Sequence, residues 1–321
     1  MMQQTTILGA ITLGSVLFCN LGSGAAVLDS SLPEYEKVAG VSGNLNSVGS
    51  DTLNNMMALW AEAFQDIYPN VKIQIEGKGS STAPPALIEG TAQIGPMSRP
   101  MKASEVDAFV DAYGYEPTPV RVALDAVAVF VHKDNPIKGV TLAQLDAIFS
   151  STNKRGHVPI SNWNEIGHPE SFAIRLYGRN SVSGTYGFFK KQALLDGAFR
   201  DSVKENPGSS AVVQGVATDP FGIGYSGVGY KTSGVRMLAL AREDDGLLYR
   251  PTFENAMTGD YPLARFLLVY VNKAPNAPLD QLTLEFVKFV LSSQGQQIVM
   301  NDGYFPLPAM AATPQIADLS Q

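Results

Sequence analysis

Apolar and polar positions alternate along this chain with two different periods. Leu53, Met56, Met57, Trp60, Phe64, Ile67 and Tyr68 fall at helical spacing, and Tyr68-Pro69-Asn70 ends that helix. Val71, Ile73 and Ile75 then alternate with polar residues, which predicts a half-buried strand. A second helix is predicted over 84–89, with proline tolerated in its first turn, and Gln93-Ile94-Gly95 leads on to Ser98-Arg99. Strand, loop and helix succeed one another in the rhythm of a mainly parallel sheet, an α/β fold.

Farther on, 120–132 is a long apolar run interrupted by Arg121 and Asp125, and 261–271 is a second strand-like run. Between them the pattern predicts helices over 142–149 and 188–195 and short strands over 174–177 and 223–225. Leu282, Phe286, Phe289 and Val290 mark an amphipathic helix near the end. No internal repeat or long linker is visible. Two long strands so far apart in sequence suit two chain crossings between lobes.

Composition narrows the picture. A chain of 321 residues with 45% hydrophobic and 17% charged residues can bury one large or two ordinary α/β cores. Its net charge of −7 argues against a nucleic-acid partner, and any anion site must be built locally against that field. Cys19 is the single cysteine, so no intramolecular disulfide or cysteine-based metal cluster can form. The stretch 7–18 is apolar or small, and Gly24-Ala25-Ala26 offers the residues a signal peptidase cuts, so an export signal is expected over 1–28. The absence of Lys or Arg before Lys37 leaves a misassigned start as the other reading. Bulky Phe18 speaks against lipid attachment at Cys19.

Three short segments carry the candidate chemistry: Gly49-Ser50-Asp51-Thr52, Gly79-Ser80-Ser81-Thr82 and Ser183-Gly184-Thr185. Each stands before a predicted helix, where unpaired N–H groups and the positive end of the macrodipole favour an anion. Any one of them alone is an ordinary N-cap. Arg179 follows a short strand and leads into the third segment, so its guanidinium can grip two oxygens of a tetrahedral oxyanion, or else form a salt bridge. Arg99 is placed similarly, with surface exposure or a pairing across a cleft as its plainer readings. Asp125 needs partners if buried. It could take a proton from a hydrogen-bearing oxyanion, or anchor an arginine or a backbone amide at a hinge.

Other motifs fall away. Gly222-Ile223-Gly224-Tyr225-Ser226-Gly227 matches G-x-G-x-x-G but lacks the strand–helix context of a dinucleotide site, and reads as a short buried strand. His132, His157 and His168 have no metal-ligand spacing, and no serine sits in a G-x-S-x-G elbow. No catalytic residue, metal or cofactor is therefore expected.

These segments, in this order over about 43–308, resemble the phosphate-binding protein of the high-affinity phosphate ABC importer. Trp163, Tyr261-Pro262-Leu263, Gly295-Gln296 and Gly303-Tyr304 add to the likeness. The resemblance implies a two-lobed type II periplasmic-binding-protein fold, each lobe a mixed sheet flanked by helices, joined by two crossing strands. One lobe would hold 41–123 and 264–321, the other 124–263. It implies a monomeric, exported receptor that encloses inorganic phosphate and delivers it to a membrane permease and its ATPase. Matched residue by residue, Thr52, Ser80 or Ser81, Arg179, Ser183, Gly184 and Thr185 would contact the anion; Ser50, Asp51, Thr82, Ser98 and Arg99 are further candidates read from the same loops, with Asp125 at the hinge or setting selectivity. Well-known members carry an aspartate where this chain has Ser98, so the resemblance alone does not secure selectivity over sulfate. The alternatives are a binder of a related oxyanion, such as sulfate or a phosphonate, and a phosphate-handling hydrolase using the same cleft.

Overall fold

The computed structural model describes residues 26–321; Cys19 and most of the expected export segment lie outside the described residues. The chain opens with β1 (Gly43–Val48), α1 (Asn54–Ile67), β2 (Val71–Glu76), α2 (Ala83–Ile88), β3 (Gly95–Met97) and α3 (Ala103–Tyr113). Next come β4 (Thr118–His132), β5 (Gly139–Thr141), α4 (Leu142–Phe149), β6 (Arg175–Arg179), α5 (Gly184–Leu194), β7 (Lys204–Asn206) and α6 (Ser209–Ala217). The remainder is β8 (Gly222–Gly227), β9 (Val235–Met237), β10 (Ala239–Ala241), α7 (Phe253–Thr258), β11 (Ala264–Val271), α8 (Gln281–Leu291), α9 (Ser293–Asn301) and α10 (Ala309–Leu319).

The strand β4 organises the molecule. Residues 122–131 are all buried, and a strand covered on both faces reads as a continuous apolar run. Its first part pairs antiparallel with β11, from Thr118↔Val271 to Ala126↔Ala264. Its second part pairs antiparallel with β8 and β9. Beyond β11 lies β3; beyond β8 lie β6 and then β7, both parallel to their neighbours. The parallel pair β1–β2 joins the β3 side through the Ser47↔Ile94 bridge. Helices flank both halves, which form the two lobes of a mixed α/β molecule, and β4 runs from one into the other.

Local chemistry explains where elements begin. On α1, Met56, Met57, Trp60, Ala61 and Phe64 face the core, and Pro69 follows its C-cap. The helix expected over 188–195 starts instead at Gly184, because the Ser183 hydroxyl accepts from the N–H groups of Thr185 and Tyr186. The run expected from 261 becomes strand only at Ala264: Pro262 cannot donate to a ladder, and Tyr261 donates its hydroxyl to the Val127 carbonyl at 2.9 Å. Five helices were not predicted: α3, α6, α7, α9 and α10. On α3 only Phe109 is buried, too weak a stripe to read; α6 and α7 are short, α9 is largely polar, and α10 carries Pro314 inside it and buries only Ala312 and Leu319.

Candidate functional site

The first anion-type segment is pinned between two strands. Gly49 N donates to the Glu76 carbonyl and Ser50 N to the Pro96 carbonyl, at 2.9 and 2.8 Å. The second segment lies against it, since Gly79 N donates to the Gly49 carbonyl at 2.7 Å. The Ser80 hydroxyl accepts from Ser98 N at 3.0 Å and lies 3.2 Å from the Ser98 hydroxyl. Ser50 donates to that same Ser98 oxygen at 3.0 Å. Thus three buried serines from three loops converge. Thr82 donates to the Gly79 carbonyl and holds its own loop.

The third segment approaches from the other lobe. A Cβ at Gly184 would lie 2.2 Å from the Ser80 hydroxyl and 2.5 Å from that of Ser98, so any side chain there would push those hydroxyls aside. The hydroxyls of Thr52 and Thr185 meet at 2.9 Å, and Ser81 N donates to the Val182 carbonyl at 3.2 Å. These contacts bring the loop that opens α5 against the loops of the β1–β3 region.

Arg179 ends β6 and is almost wholly buried, with 1% of its surface exposed. It donates through Nη1 to the Ser209 hydroxyl at 2.6 Å and through Nη2 to the Pro207 carbonyl at 3.0 Å. Nη1 also lies 3.1 Å from Asp51 Oδ2, which accepts from Ser209 N at 2.8 Å. Burial lowers the Arg179 pKa, with the Asp51 charge opposing, but a guanidinium keeps its proton in a protein. Its Nε is buried without a partner among the described residues. Beside Asp51 a cavity of about 700 Å³ lies between α1 and α6, lined in part by Asn55, Gln214, Lys231 and Asp302.

Arg99 is not on the surface. It is buried and donates to both carboxylate oxygens of Glu105, each at 2.7 Å, and also to the Ser81 hydroxyl at 3.2 Å. Glu105 stands in the first turn of α3, the helix absent from the predicted elements. Burial pushes its carboxyl up, but the hydrogen bonds from Arg99 and the Lys102 amide outweigh that and leave it below the usual carboxylate value.

A residue that sequence reasoning did not single out stands at the centre. Arg265 on β11 faces Asp125 on β4 across the ladder and donates to its Oδ2 through Nε at 2.9 Å. It also donates through Nη1 to the Ser98 carbonyl at 2.7 Å and through Nη2 to the Thr185 hydroxyl at 2.9 Å. Asp125 Oδ1 accepts from Val228 N at 3.0 Å. Burial raises the Asp125 pKa, against the pull of Arg265 and of the Val228 amide. The available signal was a lone arginine and a lone aspartate in two long apolar runs, since buried charges need partners.

Among the described residues no His, Cys, Asp and Glu side chains group as a metal site. The segment 222–227 is the wholly buried β8, followed by a 3-10 turn rather than a phosphate-binding helix.

A mixed sheet threaded by β4, flanked by helices on both halves, with serine, threonine and glycine loops meeting beside it, defines a two-lobed solute-binding fold. The chain belongs to the PBP superfamily, whose domain model matches residues 36–294. It is 55% identical over 315 residues to the phosphate-binding protein PstS of Pseudomonas aeruginosa, covering 96% of this chain and 98% of that one. Against the phosphate-binding protein PstS of Bacillus subtilis it is 29% identical over 276 residues, 85% of this chain and 83% of the relative. A putative phosphate ABC transporter substrate-binding protein from Clostridium perfringens, solved with bound phosphate, superposes with a TM-score of 0.70 at 28% identity, covering 83% of this chain and 100% of that one. An ABC-type phosphate transport receptor from Vibrio cholerae, 23% identical with a TM-score of 0.65 over 82% of this chain and 100% of that one, shares the fold.

Proposed function

We propose that this chain is the solute-binding receptor of a phosphate ABC importer, enclosing inorganic phosphate between its lobes and handing it to a membrane permease. The observation that carries this reading is the convergence of three hydroxyl-and-glycine loops with Arg179 across the lobe boundary. The 55% identity to a phosphate-binding protein over nearly the whole chain supports it.

In this reading residues 41–123 with 264–321 form one lobe and 124–263 the other. Phosphate enters the open form and contacts the serine cluster of the first lobe. The N–H groups at the start of α5, the Thr185 hydroxyl and Arg179 then close over it. Closure is a population shift, favoured because both lobes gain contacts with the same anion. Asp51 reaches over the boundary to Arg179 and the Ser209 amide, and so serves as a latch between lobes. Asp125, satisfied by Arg265 and Val228, serves as the hinge anchor.

The protein works outside the cytoplasm as a monomer, without cofactor or catalysis. Among the described residues no helix is long and apolar enough to cross a membrane. The relatives are named as binding proteins. Calorimetric titration of phosphate-stripped protein with phosphate, sulfate, arsenate and a phosphonate tests the reading. Saturable one-site phosphate binding is expected; no phosphate binding, or turnover of a chromogenic phosphate ester, would overturn it.

A further inference from the structure

The hydrogen bonds of Arg265 divide it among three parts of the molecule. Its Nε donates to Asp125 Oδ2 on β4 at 2.9 Å, and Nη2 lies 2.8 Å from the same oxygen. Nη1 holds the Ser98 carbonyl in the first lobe, and Nη2 holds the Thr185 hydroxyl in the second. Its hydrogen bonds use three of the five N–H groups a guanidinium carries, one on each nitrogen, which leaves one on Nη1 and one on Nη2. Arg265 is buried, and the ring of Phe188 lies 5.2 Å from its guanidinium carbon.

A lone buried ion pair is a poor source of stability, because desolvation of both charges offsets their attraction. A hinge needing only a tie between β4 and β11 would be served as well by apolar residues. Arg265 instead places its charge among the hydroxyl groups of the candidate anion cradle, bonding directly to two of its residues. Arg179, at the end of β6, has its own carboxylate partner Asp51 in the first of the loops. The site is therefore bracketed by two guanidinium–carboxylate pairs, one at the lobe boundary and one at the crossing strands.

We propose that Arg265 is a second anion-binding arginine of this cleft: it contacts the bound phosphate from the crossing strands, while Asp125 fixes its orientation. The proposal rests on the phosphate-receptor reading above and adds to it a residue on the hinge itself. Because Thr185 reaches Arg265 only with the lobes together, the anion, Arg265 and the third loop form one contact set in the closed form. Removing a desolvated charge that faces a charged partner weakens binding strongly.

Two double variants separate anion contact from a structural tie. Asp125→Leu with Arg265→Met replaces the pair by apolar residues and leaves no orphaned charge. Asp125→Asn with Arg265→Gln keeps the polar shape and removes both charges. Phosphate affinity is measured by calorimetry on the stripped parent and on whichever double variant has a parent-like circular dichroism spectrum and cooperative melt. A loss of about 100-fold or more is expected in the folded variant, with Arg265→Lys losing less than the uncharged variants. Parent-like affinity in either folded double variant would overturn the assignment while leaving the receptor reading intact. A parent that binds no phosphate overturns both.

Discussion

Asp125 and Arg265 lie far apart in sequence, yet β4 and β11 set them directly opposite each other, and both are buried. Neither side chain has water to fall back on. Asp125→Ala would strand the guanidinium, and breaking a buried pair by removing one partner costs about 3–5 kcal/mol. Urea unfolding of this variant is expected to show that loss. A midpoint and slope like those of the parent would mean that the pair is already solvated.

The two arginines singled out from sequence differ in what remains free. Glu105 occupies both ends of the Arg99 fork, whereas Arg179 keeps a buried Nε without a partner among the described residues. Arg179→Ala is therefore expected to weaken phosphate binding by about 2–5 kcal/mol, roughly 30-fold to several-thousand-fold. Arg99→Ala is expected to act mainly on thermal stability. Equal losses of affinity, measured by calorimetry, would contradict the ranking.

Gly184 offers a test of closure. Alanine at a helix's first residue does not weaken the helix, since its propensity exceeds that of glycine. Its Cβ would, however, collide with the Ser80 and Ser98 hydroxyls of the facing lobe. Gly184→Ala should keep a parent-like melting temperature and lose phosphate affinity by at least about tenfold, or about 1.4 kcal/mol. Parent-like affinity would show that the lobes need not approach so closely.

Glu105 should leave a mark on the acid side of the stability profile. Its folded-state pKa is depressed, so its contribution is present above the unfolded value of about 4.3 and is lost as pH falls through the folded value. The melting temperature of Glu105→Gln should lie below that of the parent at neutral pH, and the gap should close on acidification. A gap that stays constant from pH 7 to pH 3 would remove Glu105 from the account.

Much of the fold was legible because it depends on local period. The apolar stripe of α1 and the continuous apolar run of β4 announce a helix and a doubly covered strand without reference to partners. The anion-type loops were legible for the same reason, since each packs its glycine and hydroxyls into a few consecutive residues. Arg265 was not. Its meaning depends on the register that puts it opposite Asp125, and register between distant strands is a tertiary property. The pairing of Arg99 was not legible because its partner Glu105 begins a helix with a single buried side chain. The capping glutamate of α3 three residues after Lys102 was the available local sign.

The central claim is that phosphate sits where the two lobes meet. A crystal structure of the protein grown with phosphate tests it most directly. The account predicts a tetrahedral anion enclosed between the Ser50–Ser80–Ser98 cluster and the start of α5, in contact with Arg179 and Thr185. Phosphate bound elsewhere on the molecule, or a closed cleft that excludes it at saturating concentration, would contradict the account.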